Sequence, residues 1–441
     1  MRASKVFGVA VLAFAGCSRS AVTLGLDVGS ETDALKRAPA VVTLSAEAVD
    51  PSGNHTALGS ATLPQTEFDL TDAPRASYLS LEITGKDATA TKVLFGRSVV
   101  LQLGAADGTT LPIFVQRTGE WARMPSPLAD DRARPLIVAT SRTFIVAGGG
   151  EGTTASQVLT GYDFATLHAL GAYGVSAKAR SLAISNAAAL LVGDEKTTAL
   201  GFDLQGATQF AITVPDGATF DEVAGGATII GDAGESYVVG PSRTTGAPTV
   251  RILKVSAAGL ASFVNITKPR LGAAALWVKN RGLFVFGGTD GTVDGGAGAE
   301  LLAKDATVAT PIDFAPDKIQ GAAAAVLDGS TVLLVGGDDG GAAAATRVVD
   351  AACFSKCTAT PWGAPLPIKT TVAAVFTLFP TSALLVADDE TSATRTFRLD
   401  TGATTEIATR LPRHAARAAR APTGNVVLVG GGSAILESFI P

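Results

Sequence analysis

Short apolar runs recur along the chain, and each ends in a small residue or a Gly pair before acidic or Gly-rich sequence. Seven copies occur after residue 134, and the residues that follow their apolar runs are Gly148, Gly193, Gly240, Gly287, Gly336, Ala387 and Gly430. The six intervals between residues 148 and 430 average 47 residues. A strand pattern repeated at this period indicates a repeat architecture rather than unrelated domains.

Each copy is accompanied by further strand signals. A second apolar run precedes it, as in residues 272–279 and 321–327, and an apolar residue followed by a turn-forming Asp comes after it, as in Tyr162–Asp163. A period near 47 without an amphipathic helical pattern is typical of a four-stranded propeller blade. The sequence therefore predicts an all-β chain with a seven-bladed β-propeller over residues 118–441.

The last copy ends one strand short of a complete blade. Residues 434–440 supply a third strand, and the sequence stops at Pro441. The segment 120–125, which contains Trp121, resembles the segment 362–367 that follows the fifth copy. We therefore predict that the strand around Trp121 completes blade 7 and closes the ring, since a closed ring leaves no exposed terminal edge.

The repeats resemble kelch repeats, whose pattern is a Gly doublet, a later aromatic–Asp turn, a Trp, and then Pro and Arg before the next blade. The resemblance is most specific in blades 1, 4, 5 and 7, and it implies a propeller that holds protein or glycan ligands on one face. Galactose oxidase shares such repeats, but its copper site needs Tyr, His and a cross-linked Cys. Here we expect His168 and His414 to be structural residues.

A smaller β domain is predicted before the propeller. Val42, Leu44, Ala46 and Ala48 alternate with polar residues, and the turn cluster 50–54 separates them from the next strand signals. Short strands at this spacing predict a small antiparallel β-sandwich, resembling an immunoglobulin domain, over residues 39–117. We expect residues 17–38 to form a flexible tether, and His55 to be a solvated loop residue without a site role.

The N-terminus has the layout of a signal peptide over residues 1–16, with Arg2 and Lys5 before an apolar run. The segment Phe14–Cys17 resembles the lipobox of bacterial lipoproteins. That resemblance implies acyl chains on Cys17, a membrane partner reached through this lipid, and a place in the cell envelope. Ser18 implies release towards the outer membrane. Plain secretion with a coincidental Cys is the alternative.

The two remaining cysteines, Cys353 and Cys357, form an even number for an oxidising compartment. We predict a disulfide between them in the hairpin between the third and fourth strands of blade 5. Free thiols and a metal site remain open as alternatives, although a metal would need two further ligands.

Composition limits the chemistry. Charged residues make up 17% of the chain, the net charge is −5, and there are 3 His, 4 Tyr and 3 Cys. Without clustered Lys and Arg we expect no nucleic acid partner, and we expect no cofactor. Four acidic residues in loops are candidate calcium ligands, namely Asp290, Asp294, Asp338 and Asp339. The alternative is that loop acids form turns and pair with Lys and Arg on the same face.

These observations favour a non-catalytic binding or scaffold lipoprotein that uses a propeller face for a protein or glycan ligand. The thin supply of nucleophiles and bases points away from an enzyme. A degenerate or unrecognised carbohydrate-active enzyme is the alternative, and a purely structural role is a third possibility. Histidines or carboxylates that converge at the centre of the ring would favour the enzyme.

Overall fold

A computed structural model of the chain describes residues 22–441 with internal gaps. The gaps are residues 71–72, 107, 150–156, 187, 194, 214–216, 241–245, 293–297, 315–319, 338–344, 354–355, 364–365, 367 and 369–372. The regular secondary structure of the described residues is almost entirely strand, with short 3-10 helices at Leu103–Ala106 and Phe220–Val223. None of the helices in this part of the chain has the length and apolar character needed to span a bilayer.

The first domain is one eight-stranded sheet. Its strands β1 to β8 are Thr23–Asp27, Thr43–Val49, His55–Thr62, Glu67–Asp69, Tyr78–Lys86, Lys92–Arg97, Leu101–Gln102 and Thr110–Arg117. They pair in the order β3-β2-β5-β6-β8-β1-β4, and β7 pairs with β5. The sheet is curved so that its two edge strands, β3 and β4, come into contact. A Cβ atom placed on Gly59 of β3 would lie 3.7 Å from the Phe68 ring of β4.

This barrel-like sheet differs from the predicted two-sheet sandwich. The difference comes from β1, which lies inside the predicted tether over residues 17–38 but pairs in parallel with β8 and antiparallel with β4. Leu24 of β1 is fully buried in the same core as Leu44 and Phe68. The chain is therefore part of the folded domain from Val22 onwards, because burial of these apolar residues holds β1 in the sheet.

The second domain is a ring of seven four-stranded blades, and blade 4 carries an additional strand. Blade 1 contains Leu136–Ala139, Thr143–Ala147, Val158–Asp163 and His168–Gly174. Blade 2 contains Ser181–Ile184, Ala188–Val192, Thr198–Asp203 and Gln209–Thr213. Blade 3 contains Ala227–Ile230, Ser236–Val239, Thr249–Val255 and Ala261–Arg270. Blade 4 contains Ala274–Val278, Gly282–Phe286, Ala299–Ala303 and Thr310–Phe314. Blade 5 contains Ala323–Asp328, Thr331–Val335, Arg347–Asp350 and Ala359–Pro361. Blade 6 contains Ala373–Phe379, Ser382–Asp388, Thr394–Asp400 and Ala403–Glu406. Blade 7 contains Arg417–Arg420, Val426–Val429, Glu437–Phe439 and, as its fourth strand, Trp121–Arg123, which we call β9.

The second strand of each blade accounts for the repeated apolar run. In blade 4 every residue of Gly282–Phe286 is buried, and in blade 6 the same holds for Ser382–Asp388. Each blade packs between two neighbours, so both faces of this strand are covered. A continuous apolar run rather than an alternating one is the result.

The ring is closed by a strand from the other end of the sequence. Phe439 pairs with Trp121 and Glu437 pairs with Arg123 in an antiparallel ladder. The Trp121 side chain is buried, and its Nε1 donates a hydrogen bond to Oγ1 of Thr396 in blade 6 at 3.0 Å. Strand β9 therefore joins both the last blade and its neighbour.

The predicted disulfide between Cys353 and Cys357 is confirmed, with Cα atoms 5.4 Å apart. It lies between the third and fourth strands of blade 5, but the connection is not a simple hairpin. Residues Lys356–Cys357 form a short strand that pairs in parallel with the fourth strand of blade 4. Cys357 is buried in a core shared by blades 4 and 5. The disulfide thus fixes a segment that crosses between blades.

Replacing both cysteines with Ser in a chain that begins at Ser18 is expected to lower the free energy of unfolding by about 2 kcal/mol, since the bridge closes a very short loop. Denaturant unfolding of the oxidised protein and the double variant measures the difference. Alkylation of the folded, unreduced protein should label neither cysteine. Labelling of both would contradict the disulfide.

Candidate binding face of the propeller

The up-and-down course of each blade sorts its connections onto two faces. We call the upper face the one that carries the connection between the second and third strands and the connection from each blade to the next. The lower face carries the other two connections of each blade. Asp290 lies on the upper face and Asn280 on the lower face.

Three buried arginines hold the upper-face turns of blades 1, 4 and 7. Arg132 and Arg413 lie in the segments that lead into blades 1 and 7, and Arg270 ends the fourth strand of blade 3, just before blade 4. Each guanidinium donates to the carbonyl oxygen of the first Gly of the blade's doublet. These Gly residues have positive φ, which Gly adopts without a steric cost. The contacts are Arg132 Nη1 to Gly148 O at 3.1 Å, Arg270 Nη1 to Gly287 O at 2.7 Å, and Arg413 Nη1 to Gly430 O at 2.6 Å.

Two of these arginines pair with a buried glutamate from the third strand of the same blade. Arg270 Nη2 lies 2.9 Å from Oε1 of Glu300, and Arg413 Nη2 lies 2.9 Å from Oε1 of Glu437. All four side chains are at most 1% exposed. Burial lowers the pKa of Arg270, and pairing with Glu300 opposes this shift. In blade 1, Arg132 pairs instead with Asp130.

Each glutamate also accepts hydrogen bonds from the backbone of the incoming segment. Oε2 of Glu300 accepts from the Thr267 N–H at 2.6 Å, and Oε2 of Glu437 accepts from the Arg410 N–H at 2.7 Å. The remaining acceptor sites of these carboxylates are thus occupied, as a buried charge requires. The arrangement fixes the connection between neighbouring blades.

The acidic loop residues have a more local role where the structure describes them. Asp290 accepts hydrogen bonds from Oγ1 and N of Thr292 at 2.7 and 2.9 Å, and the hydroxyl contact lowers the pKa of Asp290. Asp290 therefore forms its own turn. The other three calcium candidates, Asp294, Asp338 and Asp339, lie outside the described residues.

The centre of the ring is lined mainly by small and apolar residues. Across the first strands of the seven blades, the charged residues are Asp328, Arg417 and Arg420. Arg417 lies 2.8 Å from Asp388 of blade 6, and Arg420 donates to the carbonyl oxygen of Gly424 at 2.9 Å. In the described part of the propeller, no three His, Cys, Asp or Glu side chains lie close enough together to share a metal ion.

The lower face is partly covered by the first domain. Val99 and Phe114 of that domain share a hydrophobic core with Phe164, Leu167 and Ala421, which lie at the lower ends of blades 1 and 7. The two domains are therefore packed together rather than joined by a free linker.

Polar contacts reinforce this packing. Gln116 Nε2 donates to the Ser438 carbonyl oxygen at 3.0 Å, and Arg123 Nε donates to Oε1 of Glu31 at 2.9 Å. The cleft at the junction is narrow, and its lining includes Phe114, Phe164 and Asn425. These contacts run up the outer edge of blade 7, because Arg123 pairs with Glu437 at the upper end of β9.

No family model matches the chain, and no curated protein matches it. The seven-bladed architecture is therefore established by strand order and register in the structure. The similarity to kelch repeats rests on the sequence pattern alone.

Proposed function

We propose that this protein is a non-catalytic binding scaffold of the cell envelope, anchored by lipid on Cys17, whose kelch-like propeller holds a protein or glycan ligand on its upper face. The observation that carries this proposal is the position of the first domain. It occupies the lower face at blades 1 and 7 through a shared core. We infer that the ligand binds on the opposite, upper face.

The buried arginines support the same choice of face. They hold the Gly turns and the entering segments of blades 1, 4 and 7 in one conformation. A preorganised surface pays less conformational entropy when a ligand binds. The apolar and salt-bridged centre of the ring favours binding over the carbohydrate-active alternative, which needs converging acid and base groups.

Site-specific photo-crosslinking in intact envelopes tests the choice of face. We would place a benzophenone amino acid at Glu390, an exposed upper-face residue, and at Lys304, an exposed lower-face residue, as the matched control. Adducts are expected from position 390 and not from position 304. Sensitivity of the adduct to protease or to periodate then identifies a protein or a glycan. Adducts from position 304 alone would contradict the proposal.

Anchoring has its own test. Mass spectrometry of the mature N-terminus is expected to show a diacyl or triacyl Cys17, because two or more acyl chains are needed for stable membrane attachment. Cys17→Ser should release the protein from the membrane fraction, whereas Cys353→Ser should not. An unmodified mature chain that starts at another residue would refute lipidation.

A further inference from the structure

A His and two Glu side chains meet on the outer face of the first domain. Glu47 of β2 lies directly opposite Glu82 of β5. His55 begins β3 and pairs with Val49, two residues beyond Glu47 on the same strand. Because side chains two positions apart share one face of a strand, all three point to the same side of the sheet. His55 is therefore a strand residue, not the loop residue expected from the sequence.

The three side chains are within reach of a single ion. His55 Nδ1 lies 2.8 Å from Oε2 of Glu47 and 3.9 Å from Oε2 of Glu82. All three ligand atoms lie within 4.8 Å of one another. A tetrahedral zinc ion with bonds of about 2.1 Å holds its ligands roughly 3.4 Å apart, so small side-chain rotations suffice.

A neighbouring arginine orients one of the carboxylates. Arg97 Nε lies 3.4 Å from Oε1 of Glu82 and donates a hydrogen bond to Oγ of Ser80 at 3.1 Å. The ion pair with Arg97 occupies Oε1 of Glu82. The other oxygen, Oε2, faces His55. Outer partners of this kind orient metal ligands in known sites.

The pair of glutamates is costly without a cation. Like charges directly opposite each other on adjacent strands are destabilising. Arg97 and Lys92 both act on Glu82 rather than on Glu47, and His55 carries a positive charge only when it is protonated. A divalent ion between Glu47 and Glu82 would neutralise both carboxylates and use neutral His55 as its third ligand.

The donor set selects the kind of metal. Calcium prefers six to eight oxygen ligands and magnesium prefers an octahedral oxygen shell, whereas one imidazole nitrogen with two carboxylates suits zinc. The His55 and Glu47 side chains are 50% and 41% exposed, so solvent can reach the ion. We propose that Glu47, His55 and Glu82 form a zinc site with three protein ligands and an open position for water or a further ligand.

Isothermal titration of the chelator-treated protein, in a chain that begins at Ser18, tests this site with zinc chloride as the probe. One zinc ion per chain is expected at this site, with much weaker binding of magnesium and calcium. His55→Ala, Glu47→Gln and Glu82→Gln should each weaken zinc binding at least about tenfold, since even outer partners of metal ligands contribute 10- to 100-fold.

The other two histidines supply matched controls. His168→Ala and His414→Ala remove exposed imidazoles from the propeller and should leave zinc binding unchanged. Thermal unfolding without zinc checks that each variant is folded. Because the His55 side chain is 50% exposed, His55→Ala is the variant expected to disturb the fold least. Absence of zinc binding, or binding that His55→Ala and Glu47→Gln leave unchanged, would overturn the proposal.

Discussion

Trp121→Ala is expected to lower the free energy of unfolding by about 3–5 kcal/mol, the range for removing a large aromatic side chain from a core. Trp121 is 1% exposed and packs against the Phe439 ring, with centroids 5.5 Å apart. The change also removes the donor to Thr396 Oγ1 in blade 6. Because β9 supplies the fourth strand of blade 7, loosening it weakens closure of the whole ring.

The matched control is Trp362→Ala. Trp362 follows the fourth strand of blade 5, in the segment whose sequence resembles that around Trp121, but it is only half-buried. Its blade is continuous in sequence, so its side chain does not join distant parts of the chain. Denaturant unfolding of both variants should show a clearly larger loss for Trp121→Ala. Equal losses would contradict a special role for β9 in closure.

Arg413→Ala is expected to cost about 3–5 kcal/mol, because it leaves the Glu437 carboxylate buried without its cation. Arg413 also donates to the carbonyl oxygens of Gly430 and Ile435 at 2.6 and 2.5 Å. These acceptors would lose their partner in the same step. Arg413→Lys should restore only part of the stability, since an ammonium group cannot reproduce the planar fork of contacts.

Arg398→Ala serves as the control for charge removal. Arg398 and Asp400 form an ion pair within the third strand of blade 6, next to blade 7. Their side chains are 42% and 36% exposed. Pairs of this kind contribute at most about 1 kcal/mol. Chemical denaturation of the two variants compares the buried pair with the exposed one. A loss for Arg413→Ala no larger than that for Arg398→Ala would show that the buried pair does not hold the blade.

The propeller could be predicted because its signals are local. The second strand of each blade is covered on both faces, so it must be apolar at successive positions. The Gly doublet marks the turn that follows this strand. The first domain was harder to predict because β1 pairs in parallel with β8, far along the sequence, and no local pattern specifies such a partner. A short strand with one fully buried residue, Leu24, resembles a polar tether in sequence.

The candidate sites show the same limit. Glu300 and Glu437 each sit in a strand with apolar neighbours, and only the fold brings the arginine to them. Glu47 and His55 flank one turn, so a hairpin would have placed them close together. Glu82 comes from a separate strand, however, and its register with Glu47 is a property of the folded sheet. Turn formation by the loop acids, in contrast, follows from local sequence, and Asp290 accepts a hydrogen bond from Oγ1 of Thr292 within its own turn.

The parallel pairing of β1 and β8 determines how a pulling force would pass through the molecule. Both strands run towards the propeller, since Ser30 just after β1 donates to the Arg123 carbonyl oxygen and Gly119 just after β8 donates to that of Ile440. With Cys17 held in a membrane, as proposed, the six residues to Thr23 span at most about 20 Å. Tension between this anchor and a ligand on the ring would slide β1 along β8 in shear. The hydrogen bonds of the ladder then bear the load together rather than opening one by one.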